Sequence, residues 1–205
     1  DKNWGLAASI IDGVTQVVRD YGRVIVLEDD LVTSKSFLKF MNDALCFYKD
    51  MEKVWHISGW NYPIDKGQLG DTFLWRVMNC WGWATWADRW QYYEKNVDKT
   101  ISAFSKKEIR EFDLNGMGGF WRQVVDNKKG KINTWAIFWY ATIFKNNGLF
   151  LNPTVSFVQN IGLDGSGTHC LASDSGRDFD FDRERAISFE LNLVKNTCAT
   201  RKVMD

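Results

Sequence analysis

The sequence has no net charge to offer: 26 Lys and Arg stand against 26 Asp and Glu. That balance excludes a field that would draw the protein to nucleic acid or to an anionic lipid surface. No apolar run approaches the length of a membrane span. The four cysteines, Cys46, Cys80, Cys170 and Cys198, show no Cys-x-x-Cys spacing. They fit reduced thiols in a cytosolic protein, with two disulfides as the alternative. Histidine is scarce, at His56 and His169 only, which argues against a phosphohydrolase built on many His and carboxylate ligands. There is no internal repeat and no low-complexity tract. What the chain has instead is aromatic residues, including 11 Trp and 14 Phe, enough with 205 residues to bury a proper core.

Its most informative stretch is Arg23-Val-Ile-Val-Leu-Glu-Asp-Asp-Leu-Val32. Val24 to Leu27 reads as a strand buried on both faces, and it runs directly into Glu28, Asp29 and Asp30. Adjacent carboxylates beside a buried strand are costly as pure structure. At the carboxyl end of a strand in an open α/β sheet they suit a hard divalent cation that in turn grips phosphates. The plainer reading is a solvated exit from the strand.

Around that strand the pattern alternates. Asn3-Trp4-Gly5 is a turn and cap signal before Leu6, Ile10, Ile11, Val14, Val17 and Val18 at helical spacing, closed by Gly22. A second helix runs from Phe37 to Tyr48, and Val54–Ser58 is the next strand. This succession predicts a mixed, mostly parallel sheet flanked by helices. Phe73–Met78 reads as a weaker strand. Trp83, Trp86 and Trp90 fall on one helical face and read as core. Trp81 and Trp83 flank Gly82, which would leave room for a ligand to approach the backbone. Residues 95–130 form a charged helical insertion, interrupted at Asn115–Gly119. Asn133-Thr134 caps a helix through Phe144. Pro153 confines a short strand to a sheet edge. A glycine-rich loop, Asn160–Cys170, holds His169, and beyond it Asp178, Asp180 and Asp182 alternate with Phe as in a half-solvated strand.

These segments together resemble the nucleotide-sugar-dependent glycosyltransferases of the A-type, Rossmann-like fold. The Glu28-Asp29-Asp30 form of the acidic motif is similar to that of the N-acetylglucosaminyltransferases that initiate complex N-glycans. The stretches 79–90, 133–139 and 160–169 look closer to bacterial sugar transferases labelled haemolysin-like or family-2-like. The resemblance covers residues 1–170, leaving 171–205 as a carboxy-terminal extension.

The resemblance implies a metal-dependent enzyme in cell-surface glycan assembly, moving a sugar from a nucleotide-diphosphate donor to a saccharide or lipid-linked saccharide. It would work in the cytoplasm or at the inner face of the membrane. Asp30 and His169 would hold Mn²⁺ or Mg²⁺. Asn3, Glu28 and Asp29 would contact the donor, and Gly82, Trp83 and Trp135 the acceptor. The general base expected after Trp135 is replaced by Ala136, which leaves Asp164 and Asp88 as catalytic candidates. The family's opening strand and base pocket precede the Asn3 turn. On this reading the chain is a partial domain with an open sheet edge that self-associates. A catalytically inactive carbohydrate-binding or scaffold module of the same fold is the alternative.

Overall fold

The structure, a computed structural model, describes residues 3–64, 67, 69–162 and 187–192. The chain divides into two compact units, residues 1–24 with 86–148 and residues 25–85 with 149–205.

The first unit is helical. Helix α1 (Leu6–Tyr21) begins where Asn3 Oδ1 accepts a hydrogen bond from Gly5 N at 2.8 Å. It stops at Gly22, whose φ of 76° lets its N–H return to Val18 O. Ala7, Val14 and Val18 form its buried stripe. The one-turn α3 (Ala87–Trp90) brings the Trp90 indole to Thr15 Oγ1 at 3.0 Å. Helices α4 (Val97–Ala103), α5 (Lys106–Phe112) and α6 (Phe120–Lys128) fill the segment expected to be helical. Asn96 caps α4, and Ser105 with Glu108 forms a reciprocal capping box on α5. Asp113 Oδ1 accepts from Phe120 N and Trp121 N at the start of α6. Helix α7 (Ala136–Lys145) is apolar nearly all round and lies in an aromatic cluster, with Tyr140 stacked on Phe112 at 4.1 Å.

The second unit carries the sheet, apart from Arg23, Val24 and Trp86, which fall in the first. Its strands are β1 (Arg23–Val26), β3 (Val54–Ser58), β4 (Thr72–Trp75), β5 (Trp83–Trp86) and β6 (Leu149–Pro153), in the order β1-β5-β3-β6-β4. A separate antiparallel pair joins β2 (Leu31–Thr33) to β7 (Val158–Asn160). Helix α2 (Phe37–Phe47) packs against β3. The expected α/β sheet is present, but it is mixed rather than mostly parallel. β3 and β6 run parallel, while β5 is antiparallel to β3 and β4 is antiparallel to β6.

Three further expectations are corrected. β1 is not buried on both faces: Val24 and Val26 are covered, whereas on the other face Arg23 and Leu27 are exposed and Ile25 is half-buried. Trp83 and Trp86 belong to strand β5, and only Trp90 of that trio is helical. Pro153 sits in an interior strand, tolerated because its missing N–H falls at the last residue of β6.

Within the second unit, Ser188 and Glu190 bond to the Thr72 side chain, and Phe189 packs on α2 at Phe40 and Phe47. Part of the carboxy-terminal extension therefore belongs to the sheet unit. Asp178, Asp180 and Asp182 lie outside the described residues. Among the described residues no helix is long and apolar enough to cross a membrane.

Candidate functional site

The acidic triplet is a tight turn. Leu31 N donates to Glu28 O at 3.3 Å, which folds Glu28-Asp29-Asp30-Leu31 back into β2. Residues following β7 grip this turn. Ile161 N donates to Asp30 O at 2.9 Å, and Asn160 Nδ2 donates to Asp30 Oδ2 at 3.2 Å. Asn160 is itself fixed by Gly162 N on its Oδ1. A Cβ at Gly162 would stand 2.7 Å from Asp30 Oδ2, so only glycine lets the backbone come this near. The other oxygen, Asp30 Oδ1, is buried and has no partner among the described residues.

The electrostatics are those of crowded anions. Burial, and then the charges of Asp30 and Asp29, push the Glu28 carboxyl above its ordinary range. The Cys80 thiol is pushed up to about 12, first by burial and then by Glu28, with Asp30 contributing less. Cys80 is therefore a neutral thiol and no nucleophile. Burial, with a smaller effect from Cys80, also raises the Tyr62 phenol, so its hydroxyl remains a donor. These mutual effects place Tyr62, Cys80, Glu28 and Asp30 in one neighbourhood.

That neighbourhood is built by strand register. Ser58 pairs with Trp83 across β3 and β5, and one step further Gly59 N donates to Gly82 O at 2.6 Å. One more step sets Trp60 opposite Trp81, and their rings meet at 4.7 Å. The crossing works only with glycine at both places. A Cβ on Gly59 would lie 2.7 Å from Gly82 O, and one on Gly82 would lie 2.9 Å from Val158 Cγ1. Asn79 holds the corner: its Oδ1-bearing amide donates through Nδ2 to Asn152 Oδ1 at 2.9 Å, and its backbone oxygen lies 3.0 Å from Ser58 Oγ and 2.9 Å from His56 Nε2.

The remaining expected site residues fall elsewhere. The room expected at Gly82 is filled by Phe37 and Val158, not left for a ligand. Trp83 is fully buried and stacked on His56 at 5.2 Å, so its ring belongs to the core. In the helical unit, Trp135 is buried at the start of α7 and its carbonyl accepts from Tyr93. Asn3 uses its side-chain oxygen to cap its own turn. Asp88 is exposed and ion-pairs with Arg89, whose guanidinium also lies over the Trp86 ring. Asp29 is exposed on the acidic turn. Asp164 and His169 lie outside the described residues.

Sequence reasoning missed Trp60, Tyr62, Cys80 and the side chain of Asn160. The repeated Gly-Trp pairs at 59–60 and 82–83 were the available signal, but it needed the β3–β5 register to be useful. No group of three or more His, Cys, Asp or Glu forms a closed metal cage among the described residues. An open site with one or two carboxylates fits Mg²⁺ or Mn²⁺, because such ions keep waters and take their other ligands from phosphates. The unpartnered Asp30 Oδ1 is the donor atom suited to that arrangement. No protein-family model matches the chain, and no curated protein matches it.

Proposed function

We propose that the protein is a metal-dependent glycosyltransferase of the A-type, Rossmann-like class, using a nucleotide-diphosphate sugar and a saccharide or lipid-linked acceptor. The observation that carries this reading is Asp30. One carboxylate oxygen is clamped by Asn160 while the other is buried without a partner, beside a second carboxylate whose ionisation is already opposed. Such a pair is stabilised by a cation and has no evident structural use without one. Asp30 and Glu28 would hold Mn²⁺ or Mg²⁺. When bound, that ion would neutralise charge developing on a departing diphosphate. Asn160 and Gly162 fix the direction of Asp30, and Asp29 on the exposed side of the turn is available to donor hydroxyls.

The test is Mn²⁺ binding followed by electron paramagnetic resonance, with donor hydrolysis measured in parallel. Asp30→Asn should lose Mn²⁺ affinity by about tenfold or more and lose metal-stimulated hydrolysis, with no loss of fold. Equal Mn²⁺ affinity in parent and variant would sink the assignment. A second reading, a carbohydrate-binding module without turnover, is favoured by one feature. The first turn of α7 carries Ala136 and no acid, where the resembling enzymes place their base. Saccharide binding with no donor hydrolysis would select it.

A further inference from the structure

Helix α1 is apolar over a wider arc than its own unit covers. Ala7, Val14 and Val18 are buried, but a second row beside them is not. Leu6, Ile10, Gly13, Val17 and Tyr21 follow one another at steps of four, three, four and four, the spacing of one helix face. Leu6 is 54% exposed, Val17 37% and Tyr21 78%, and Ile10 is half-buried. Trp4, just ahead of the first turn, is 67% exposed. Gly13 sits in the middle of the row, with nothing within 4 Å of an added Cβ. Glycine inside a helix is destabilising relative to alanine, and among the described residues nothing crowds that position to require it.

We infer that this face joins α1 to the same helix of a second copy, packed antiparallel about a two-fold axis. The row is its own complement. Leu6 and Tyr21 lie equally far from the helix midpoint, between Gly13 and Val14, and so do Ile10 and Val17. An antiparallel crossing there sets Leu6 against the partner's Tyr21 and Ile10 against the partner's Val17, each contact made twice. Gly13 falls at the crossing, where the lack of a side chain lets two backbones approach. The charges agree with that direction. The first turn of α1 holds no acidic residue, and Gly5 gives it no side-chain cap. The antiparallel arrangement brings the partner's Asp20 to that end, where a carboxylate is favoured. Asp12, Arg19 and Asp20 oppose the uncharged positions Thr15, Ala8 and Ala7, so no like charges are forced together. A membrane surface fits less well: α1 has no lysine, and its one arginine is engaged by Asp20 at 2.9 Å.

The area suffices for a weak dimer. A whole aromatic side chain covers about 150–250 Å², so the exposed parts of Trp4 and Tyr21 come to about 200–350 Å² per copy. With Leu6, Val17 and the polar rim of both copies, the contact reaches about 1,000 Å², the lower limit for a specific interface. The association is therefore reversible and concentration-dependent. It differs from pairing along an open sheet edge, and it uses no residue of the acidic turn.

Sedimentation velocity on a dilution series of the full chain tests the inference. The parent should pass from monomer to dimer as concentration rises. Val17→Glu and Ile10→Lys should each weaken the dimer at least about thirtyfold, since each new charge meets an apolar partner twice. Glu and Lys are better helix formers than Val and Ile, so both variants keep α1, and circular dichroism checks this. An equimolar mixture of the two variants should recover about tenfold or more, because the opposite charges then face each other across the seam. A parallel seam would set each position against itself and allow no such recovery. Leu38→Glu, at an exposed apolar residue of α2, should leave the dimer unchanged. A parent that stays monomeric throughout, association that survives both α1 variants or is lost equally in Leu38→Glu, or a mixture without recovery would overturn the proposal. So would a monomer that collects on phosphatidylserine vesicles, which would assign the face to a membrane.

Discussion

Replacing Gly82 by alanine separates two explanations of that residue, room for a ligand and room for the protein itself. The backbone at Gly82 has φ of +59°, a region that costs an L-residue about 1 kcal/mol or somewhat more. The new Cβ would lie 2.9 Å from Val158 Cγ1 and 3.0 Å from Phe37 Cε2. Both side chains are buried, so neither can swing into solvent, and overpacking of this kind costs about 1–3 kcal/mol. The sum is about 3 kcal/mol, or a fall of roughly 6–12 °C in Tm for a chain of this size.

Gly59→Ala should lose at least as much. Its Cβ meets a backbone carbonyl, Gly82 O, at 2.7 Å, and relief requires breaking the Gly59–Gly82 hydrogen bond. Gly13→Ala is the internal control. Gly13 lies within α1 with nothing within 4 Å of its added Cβ, so alanine there should stabilise by about 0.5–1 kcal/mol. Thermal and urea denaturation of the three variants give the answer. A Gly82→Ala protein that melts with the parent would refute the packing argument.

Two further outcomes follow from buried polar groups. His56 is fully enclosed, and burial lowers its pKa to about 3, against the smaller opposing effect of its bond to Asn79 O. The unfolded chain takes up the proton near the ordinary value of about 6.5 and the native chain does not. His56 therefore makes stability fall as pH drops from about 6.5 toward about 3, by about 1.4 kcal/mol per pH unit. His56→Phe should remove that slope, leaving a variant weaker at neutral pH but less sensitive to acid; parallel urea midpoints for the two proteins between those limits would refute this. Asn61 is 3% exposed, and neither its Oδ1 nor its Nδ2 finds a partner among the described residues. Asn61→Leu should raise stability by about 1 kcal/mol, since an unpartnered buried amide is a net penalty, and a lower denaturation midpoint would count against it.

The parts of the fold legible in the sequence are those whose signals are local. Asn3, Gly5 and Gly22 mark the ends of α1 through short-range capping, and the apolar spacing between them needs no partner to be read. The failure at Trp83 to Trp86 has a definite cause. A strand buried at every residue has no alternation, and tryptophans at 83, 86 and 90 happen to satisfy helical spacing. The mixed sheet was equally hidden. A strand's direction relative to its neighbour is not written in its own residues, and β4 intervenes between the paired strands β3 and β5. The acidic turn was legible because three carboxylates are consecutive in the chain. The aromatic corner was not, since Trp60 and Trp81 become neighbours only through register.

Strand β1 shows how fold and candidate chemistry are joined. At the end of the strand order it has one sheet neighbour, and the turn that follows it is held instead by the Asn160–Gly162 segment. That leaves Asp29 exposed and Glu28 and Asp30 half-covered, a position between two unworkable extremes. Deep in the sheet, the carboxylates would be protonated and useless to a cation. Fully solvated, they would be screened and would bind weakly. The Asn160–Gly162 segment sets the balance by burying Asp30 from one side while supplying a donor to only one of its oxygens. The same constraint explains the glycines. Gly162 brings a backbone against Asp30, and Gly59 with Gly82 brings two strands close enough to set the Trp60 and Trp81 rings together. In each case a side chain was given up so that a backbone could approach its neighbour closely.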